Sequence, residues 1–162
     1  MAGRVLVAGI GNVLLGDDGF GPEVVRRLAG QHDFPEEVRI VDYGIRGLHL
    51  AYDLLDPWDG LILIDALPDR GDPSRIVVLE LGAEDVPAGG QVDAHSMDPA
   101  TVLASLAALG GKVPQITLLV GCQVTDVDER IGLTPPVEQA VDEAVRTVQA
   151  LLTRELTRAE VS

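Results

Sequence analysis

The sequence predicts a single doubly wound α/β domain spanning residues 1–162, with about five mostly parallel strands and helices on both faces. Three observations carry that expectation. Short aliphatic runs alternate with stretches of helical period, which is the βαβ pattern. Two of the runs, LILIDA (Leu61–Ala66) and QITLLVG (Gln115–Gly121), are continuously apolar, as strands covered on both faces of a parallel sheet are. With 162 residues, 46% of them hydrophobic and only 3% aromatic, the chain can fill one core with small aliphatic side chains.

Each element follows from local signals. The first strand is read over Arg4–Gly9. A helix follows over Gly21–Ala29, with Pro22 in its first turn, where a missing N–H costs nothing. RIVDY (Arg39–Tyr43) is the second strand, followed by the turn GIRG and a short amphipathic helix over Leu48–Leu55. LILIDA is the third strand. RIVVLEL (Arg75–Leu81) is the fourth, reached through the turn LPDRGDP. Gly82–Ala94 reads as loop, and a helix then starts at Asp98 as N-cap with Pro99 behind it and runs to Leu109. After the fifth strand, Gln115–Gly121, a last helix runs from Pro135 to Leu156 with Thr134 as N-cap. Its apolar positions Val137, Val141, Ala144, Val148 and Leu151 keep three-four spacing. The tail past Leu156 is expected to fray.

Composition excludes several classes of function. The formal net charge is −14, from 26 acidic and 12 basic residues, a surface that a phosphate backbone would repel. Nucleic acid is therefore not an expected partner. No apolar run reaches the length of a membrane span, so no membrane is expected either. One cysteine, Cys122, forbids an internal disulfide and a thiolate-rich metal site. The opening residues lack the charged, apolar and cleavage regions of a secretory leader. A reducing cytoplasm is the expected compartment.

In a doubly wound sheet, ligands bind beyond the carboxyl ends of the strands, which directs attention to the loop GIGNVLLGDDGFG after the first strand. A dinucleotide fingerprint would need glycine at position 14, where Leu14 stands, and would open the helix inside the turn. Asp17 and Asp18 would repel a pyrophosphate, and no glycine-rich loop with a following lysine exists. No nucleotide is expected. Each remaining candidate has a plain structural alternative. Asp17 and Asp18 could be turn residues ahead of Gly19, Asp65 could satisfy loop amides at its strand end, and His95 could be a solvated loop histidine. Taken together, they come from three segments on one side of the sheet. An oxygen from the acidic pair, one from Asp65 and the His95 imidazole form a ligand set suited to zinc, nickel, manganese or iron. His49 reads as a surface or boundary residue, His32 as solvated and Cys122 as a small buried hydrophobe. Ser96 lacks a nucleophile-elbow setting.

With those residues in view, the chain closely resembles the [NiFe]-hydrogenase maturation endopeptidases. GIGNVLLGDDGFG resembles the family's first block, LILIDA its strand-end aspartate, DAHSMDP its histidine before a helix, and IGLTPPVEQAV its segment ahead of the last helix. The resemblance implies a doubly wound α/β peptidase that removes a short C-terminal extension from the hydrogenase large-subunit precursor after nickel has been inserted. It implies that Asp18, Asp65 and His95 are the catalytic residues and engage nickel, the metal being supplied by the substrate precursor. Two departures stand out. Asp18 replaces the glutamate common in the family, which leaves Asp17 as a possible sharer of its role. Asp42-Tyr43-Gly44-Ile45-Arg46-Gly47 replaces D-G-G-T-x-G, which bears on substrate selectivity. The competing readings are a metal chaperone without catalysis and a Rossmann-like nucleotide-binding module.

Overall fold

The computed structural model describes residues 3–31, 34–86 and 98–161, with side chains described as far as 154. Five strands, β1 (Val5–Ile10), β2 (Val38–Gly44), β3 (Gly60–Pro68), β4 (Ile76–Leu81) and β5 (Ile116–Val124), form one sheet in the order β2-β1-β3-β5-β4. β1 pairs in parallel with β2 and with β3, and β3 in parallel with β5, while β4 closes the edge antiparallel to β5. The helices are α1 (Phe20–Ala29), α2 (Gly47–Asp53), α3 (Pro99–Ala108) and α4 (Pro135–Val161). The fold expected from the sequence is the one observed. β3 and β5 run further than their apolar cores indicated, and α4 continues past Leu156 to Val161.

Strand alternation divides the core into two layers. Val5, Val7, Ile62, Ile64, Leu118 and Val120 face α1 and α4. Leu6, Ala8, Ile10, Leu61, Leu63 and Leu119 face the opposite layer, built from α2 and α3. The α4 positions picked out by spacing are all buried against the sheet. Between α1 and α4, the Arg27 guanidinium bonds Glu23, Glu138 and Asp142, the last at 2.7 Å, tying the two helices at their solvent edge.

Glycine sets how closely α1 approaches. A Cβ on Gly21 would lie 2.4 Å from the carbonyl oxygens of both Ile10 and Ile64, so the helix begins almost on top of the ends of β1 and β3. Gly9 faces it from β1, where a Cβ would meet the Gly21 carbonyl oxygen at 2.7 Å. These contacts lie on the sheet's switch point, since β1 leads outward to β2 on one side and its other neighbour is β3. β1 pairing with β3 stops at Gly9 and Ile64, and β3 runs on through Asp65, paired there with β5. The topology of such a sheet therefore places the expected ligand crevice where the helix, the end of β1 and the overhang of β3 meet. Gly21→Ala is expected to cost about 1–3 kcal/mol by overpacking, read from urea unfolding. A variant as stable as the parent would show that α1 can ride outward without loss.

Candidate active site

The loop after β1 is shaped to bring carboxylates to that crevice. Gly11 has φ +146°, and a Cβ there would lie 2.1 Å from the Asp18 carbonyl oxygen, so glycine lets the chain fold back on itself. Asn12 then organises the turn. Its side-chain oxygen accepts the Leu14 N–H at 2.9 Å, and its own N–H donates to Asp18 Oδ2 at 2.9 Å. Gly16–Gly19 form a short 3-10 turn that leads into α1.

Within that turn the two adjacent aspartates part company. Asp17 is 1% exposed, with Oδ1 accepting the Thr134 N–H at 2.7 Å and Oδ2 accepting the Thr134 hydroxyl at 2.8 Å. Thr134 does precede α4 as expected, its carbonyl accepting the Glu138 N–H at 2.8 Å, but its hydroxyl is directed to Asp17. Asp18 is half-buried, and the Asn12 bond engages one of its two oxygens.

Asp65 lies on the overhang of β3. Alternation with Leu61 and Leu63 places it on the α2/α3 side of the sheet, and it is 6% exposed. Burial pushes its carboxyl well above the ordinary aspartate range. The charges of Asp18 and Asp98 push it further in the same direction, and the Ala66 N–H offers partial compensation. The structure thus brings Asp18 and Asp65 into electrostatic contact across the crevice. Asp98 is the N-cap of α3, accepting the Thr101 N–H at 2.7 Å, as its sequence context predicts. Its second role, as a charge acting on Asp65, has no local signature. His95 lies outside the described residues, and among the described residues no group of three or more His, Cys, Asp or Glu side chains could hold a metal ion.

His49 and Cys122 are placed as their contexts indicate, while His32 and Ser96 lie outside the described residues. His49 is exposed on α2, with Nε2 3.7 Å from Asp53, whose carboxylate accepts the buried Tyr43 hydroxyl at 2.7 Å. Cys122 is fully buried on β5, and burial, reinforced by the charges of Asp17 and Glu143, pushes its thiol up to about 12. A Cys–His nucleophile is incompatible with such a group, which would carry almost no thiolate at neutral pH.

A cleft of about 330 Å3 opens beside Asn12, between the ends of β1 and β2, lined among others by Val13, Leu14, Ile45 and Arg46. Val13, Leu14 and Ile45 are 50%, 58% and 61% exposed, giving this rim an apolar character unusual for so acidic a chain. Arg46, which stands within the segment that departs from D-G-G-T-x-G, bonds the carbonyls of Asp42 at 2.8 Å and Tyr43 at 3.2 Å. A second cleft of about 390 Å3 lies at the opposite end of the sheet, around Trp58 and Lys112, away from both carboxylates.

An α/β domain with paired carboxylates at its switch point, and no glycine cradle for phosphate, has the makings of a hydrolytic or metal-engaging site. Comparison with known proteins gives the class of reaction. Residues 22–151 match the family model described as hydrogenase maturation protease. The chain is 36% identical over 155 residues to the hydrogenase expression/formation protein HupD of Rhodobacter capsulatus, covering 91% of this chain and 72% of that one. It is 34% identical over 152 residues to the hydrogenase 2 maturation protease of Escherichia coli, covering 92% and 90%. The hydrogenase maturating endopeptidase HybD from E. coli superposes with a TM-score of 0.76 at 33% identity, over 93% of each chain. The chain belongs to the hydrogenase maturation protease family, and it is a peptidase. The chaperone and nucleotide-module readings are thereby set aside.

Two expectations follow from the side-chain environments. Cys122 should resist iodoacetamide at pH 8 in the folded protein and react once urea unfolds it, with the alkylated mass as readout. Labelling at the rate of a free thiol would contradict its burial. For Asp65, the folded chain holds the carboxyl proton more tightly than the unfolded chain does. Its contribution to stability is complete below the ordinary carboxylate range and is lost as pH rises through the raised value. Asp65→Asn should accordingly be more stable than the parent at pH 8, by on the order of 1 kcal/mol. The gain should shrink as pH falls toward about 4, followed by thermal unfolding across that range.

Proposed function

We propose that this chain removes the C-terminal extension of a [NiFe]-hydrogenase large-subunit precursor after nickel insertion, with the precursor's nickel as the recognition element. Family membership supports the class of reaction. The single observation that supports the site is Asp65, a carboxyl almost out of solvent whose charge is opposed by burial and by Asp18 and Asp98, with one backbone N–H in partial compensation. A buried acid in that condition is stabilised by a proton or by a cation. A cation arriving with the substrate would meet Asp65 and Asp18 together. His95 stands three residues before Asp98 in the sequence and supplies the nitrogen of the set. Two oxygens and one nitrogen suit nickel and leave positions for the precursor's own ligands.

Held by these residues, the precursor's nickel would supply positive charge at the site and mark a correctly loaded substrate. The chain's own residues do the remaining work. One of the two carboxylates, Asp18 or Asp65, takes a proton from water as the water oxygen attacks the scissile carbonyl. The proton passes to the departing amine as the carbon–nitrogen bond breaks. No acyl-enzyme is expected, the Cys122 sulfur being held as a buried thiol. The one free cysteine, held as a buried thiol, suits a reducing cytoplasm. No helix among the described residues is long and apolar enough to cross a membrane.

Intact-mass analysis of nickel-loaded and metal-free precursor, incubated with the parent, Asp18→Ala and His95→Ala, tests this. The parent should release a short C-terminal peptide from the nickel-loaded precursor alone, and each variant should be slower by about 100-fold or more. Cleavage of metal-free precursor at the same rate would remove nickel as the recognition element. Full activity of either variant would remove that residue from the site.

A further inference from the structure

We propose that Asp17 and Thr134 are positioning residues for Asp18: they hold the acidic turn against the β5–α4 loop so that Asp18, and not its neighbour, faces Asp65. The proposal rests on the reading of Asp18 and Asp65 given above. Both Asp17 oxygens are engaged by Thr134, and the side chain is 1% exposed, so it offers nothing to a ligand. Successive residues in a 3-10 turn project about 120° apart. Fixing Asp17 toward the start of α4 therefore directs Asp18 to a different side, where its charge reaches Asp65.

The backbone around this pair is interlocked. The Gly16 N–H donates to the Arg130 carbonyl at 2.8 Å, the Asp17 N–H to the Asp126 carbonyl at 2.9 Å, and the Arg130 N–H to the Leu14 carbonyl at 3.0 Å. Leu15 and Arg130 form a parallel bridge. Arg130 Nη1 meets Asp126 Oδ2 at 2.8 Å, tying the loop across its own ends. Gly16 has φ +56°, and a Cβ there would come 2.9 Å from the Asp126 carbonyl oxygen, so the docking also needs glycine. The segment ahead of α4, more than a hundred residues from the acidic turn, is thus the mould in which Asp18 is set. A misplacement of about 1 Å at a reacting group can cost about 100-fold in rate.

The test is steady-state cleavage of nickel-loaded precursor by the parent, Thr134→Val, Thr134→Ser, Asp17→Asn and Asp18→Ala, with thermal unfolding of each in parallel. Thr134→Val removes the hydroxyl and keeps the backbone N–H, so it is the informative variant should Asp17→Asn not fold. Its kcat is expected to fall about 10- to 100-fold with KM within about twofold of the parent, and Thr134→Ser is expected to restore kcat. Parental kcat in Thr134→Val beside an inactive Asp18→Ala would overturn the positioning role. So would a loss confined to KM, or a Thr134→Ser variant as slow as Thr134→Val. Full activity of Asp18→Ala would instead overturn the assignment of Asp18 on which the proposal rests.

Discussion

α1 reaches the carboxyl ends of β1 and β3 because two residues at the contact, Gly9 and Gly21, have no Cβ to hold the backbones apart. The turn before the helix must then be long enough to leave β1, fold back over Gly11 and re-enter at Phe20, and that excursion carries Asn12 to Gly19. In a dinucleotide-binding relative of this topology, the helix begins inside the turn and offers its N–H groups to phosphate. Here the excursion interposes Asp17 and Asp18, and the ligand preference of the same corner of the same fold changes sign. The adjoining overhang of β3 supplies Asp65. The helix-to-sheet contact thus comes before every other feature of the site.

Asp17 and Asp65 make an instructive pair. Both are aspartates almost out of solvent, at 1% and 6% exposure, so burial alone does not separate them. Donors do. Thr134 satisfies both oxygens of Asp17, which makes it part of the framework. Asp65 has the Ala66 N–H set against desolvation and two neighbouring charges of its own sign. An acid held in that condition is retained against the interest of stability, which is the usual mark of a residue kept for chemistry. The two-layer aliphatic core on either face of β3 is what lets the fold tolerate it.

The architecture was largely legible in the chain because its signals are local. Continuous apolar runs marked the central strands, three-four spacing marked α4, and the Asp98-Pro99 pair marked the start of α3. The position of Asp65 could be read because a strand's end and the sheet's carboxyl edge coincide in a doubly wound fold. Other features were not legible, for a common reason. The division of labour between Asp17 and Asp18 is decided by Thr134, 117 residues away in sequence from the first of them. Arg27 acquires Glu138 and Asp142 only when α1 and α4 lie side by side. Asp98 acts on Asp65 through space, from 33 residues further along the chain. Periodicity and capping rules speak of neighbours along the chain, and these relations are made by the fold.

The cleft around Trp58 and Lys112 lies at the amino-terminal end of the sheet, opposite the acidic crevice. Lys112 is the one lysine in the sequence, and it is exposed. The side-chain amine and the carboxylates therefore occupy opposite poles of the molecule. Coupled to an activated surface through that amine, the protein would stand with its crevice turned to the solution, a defined orientation built into its composition.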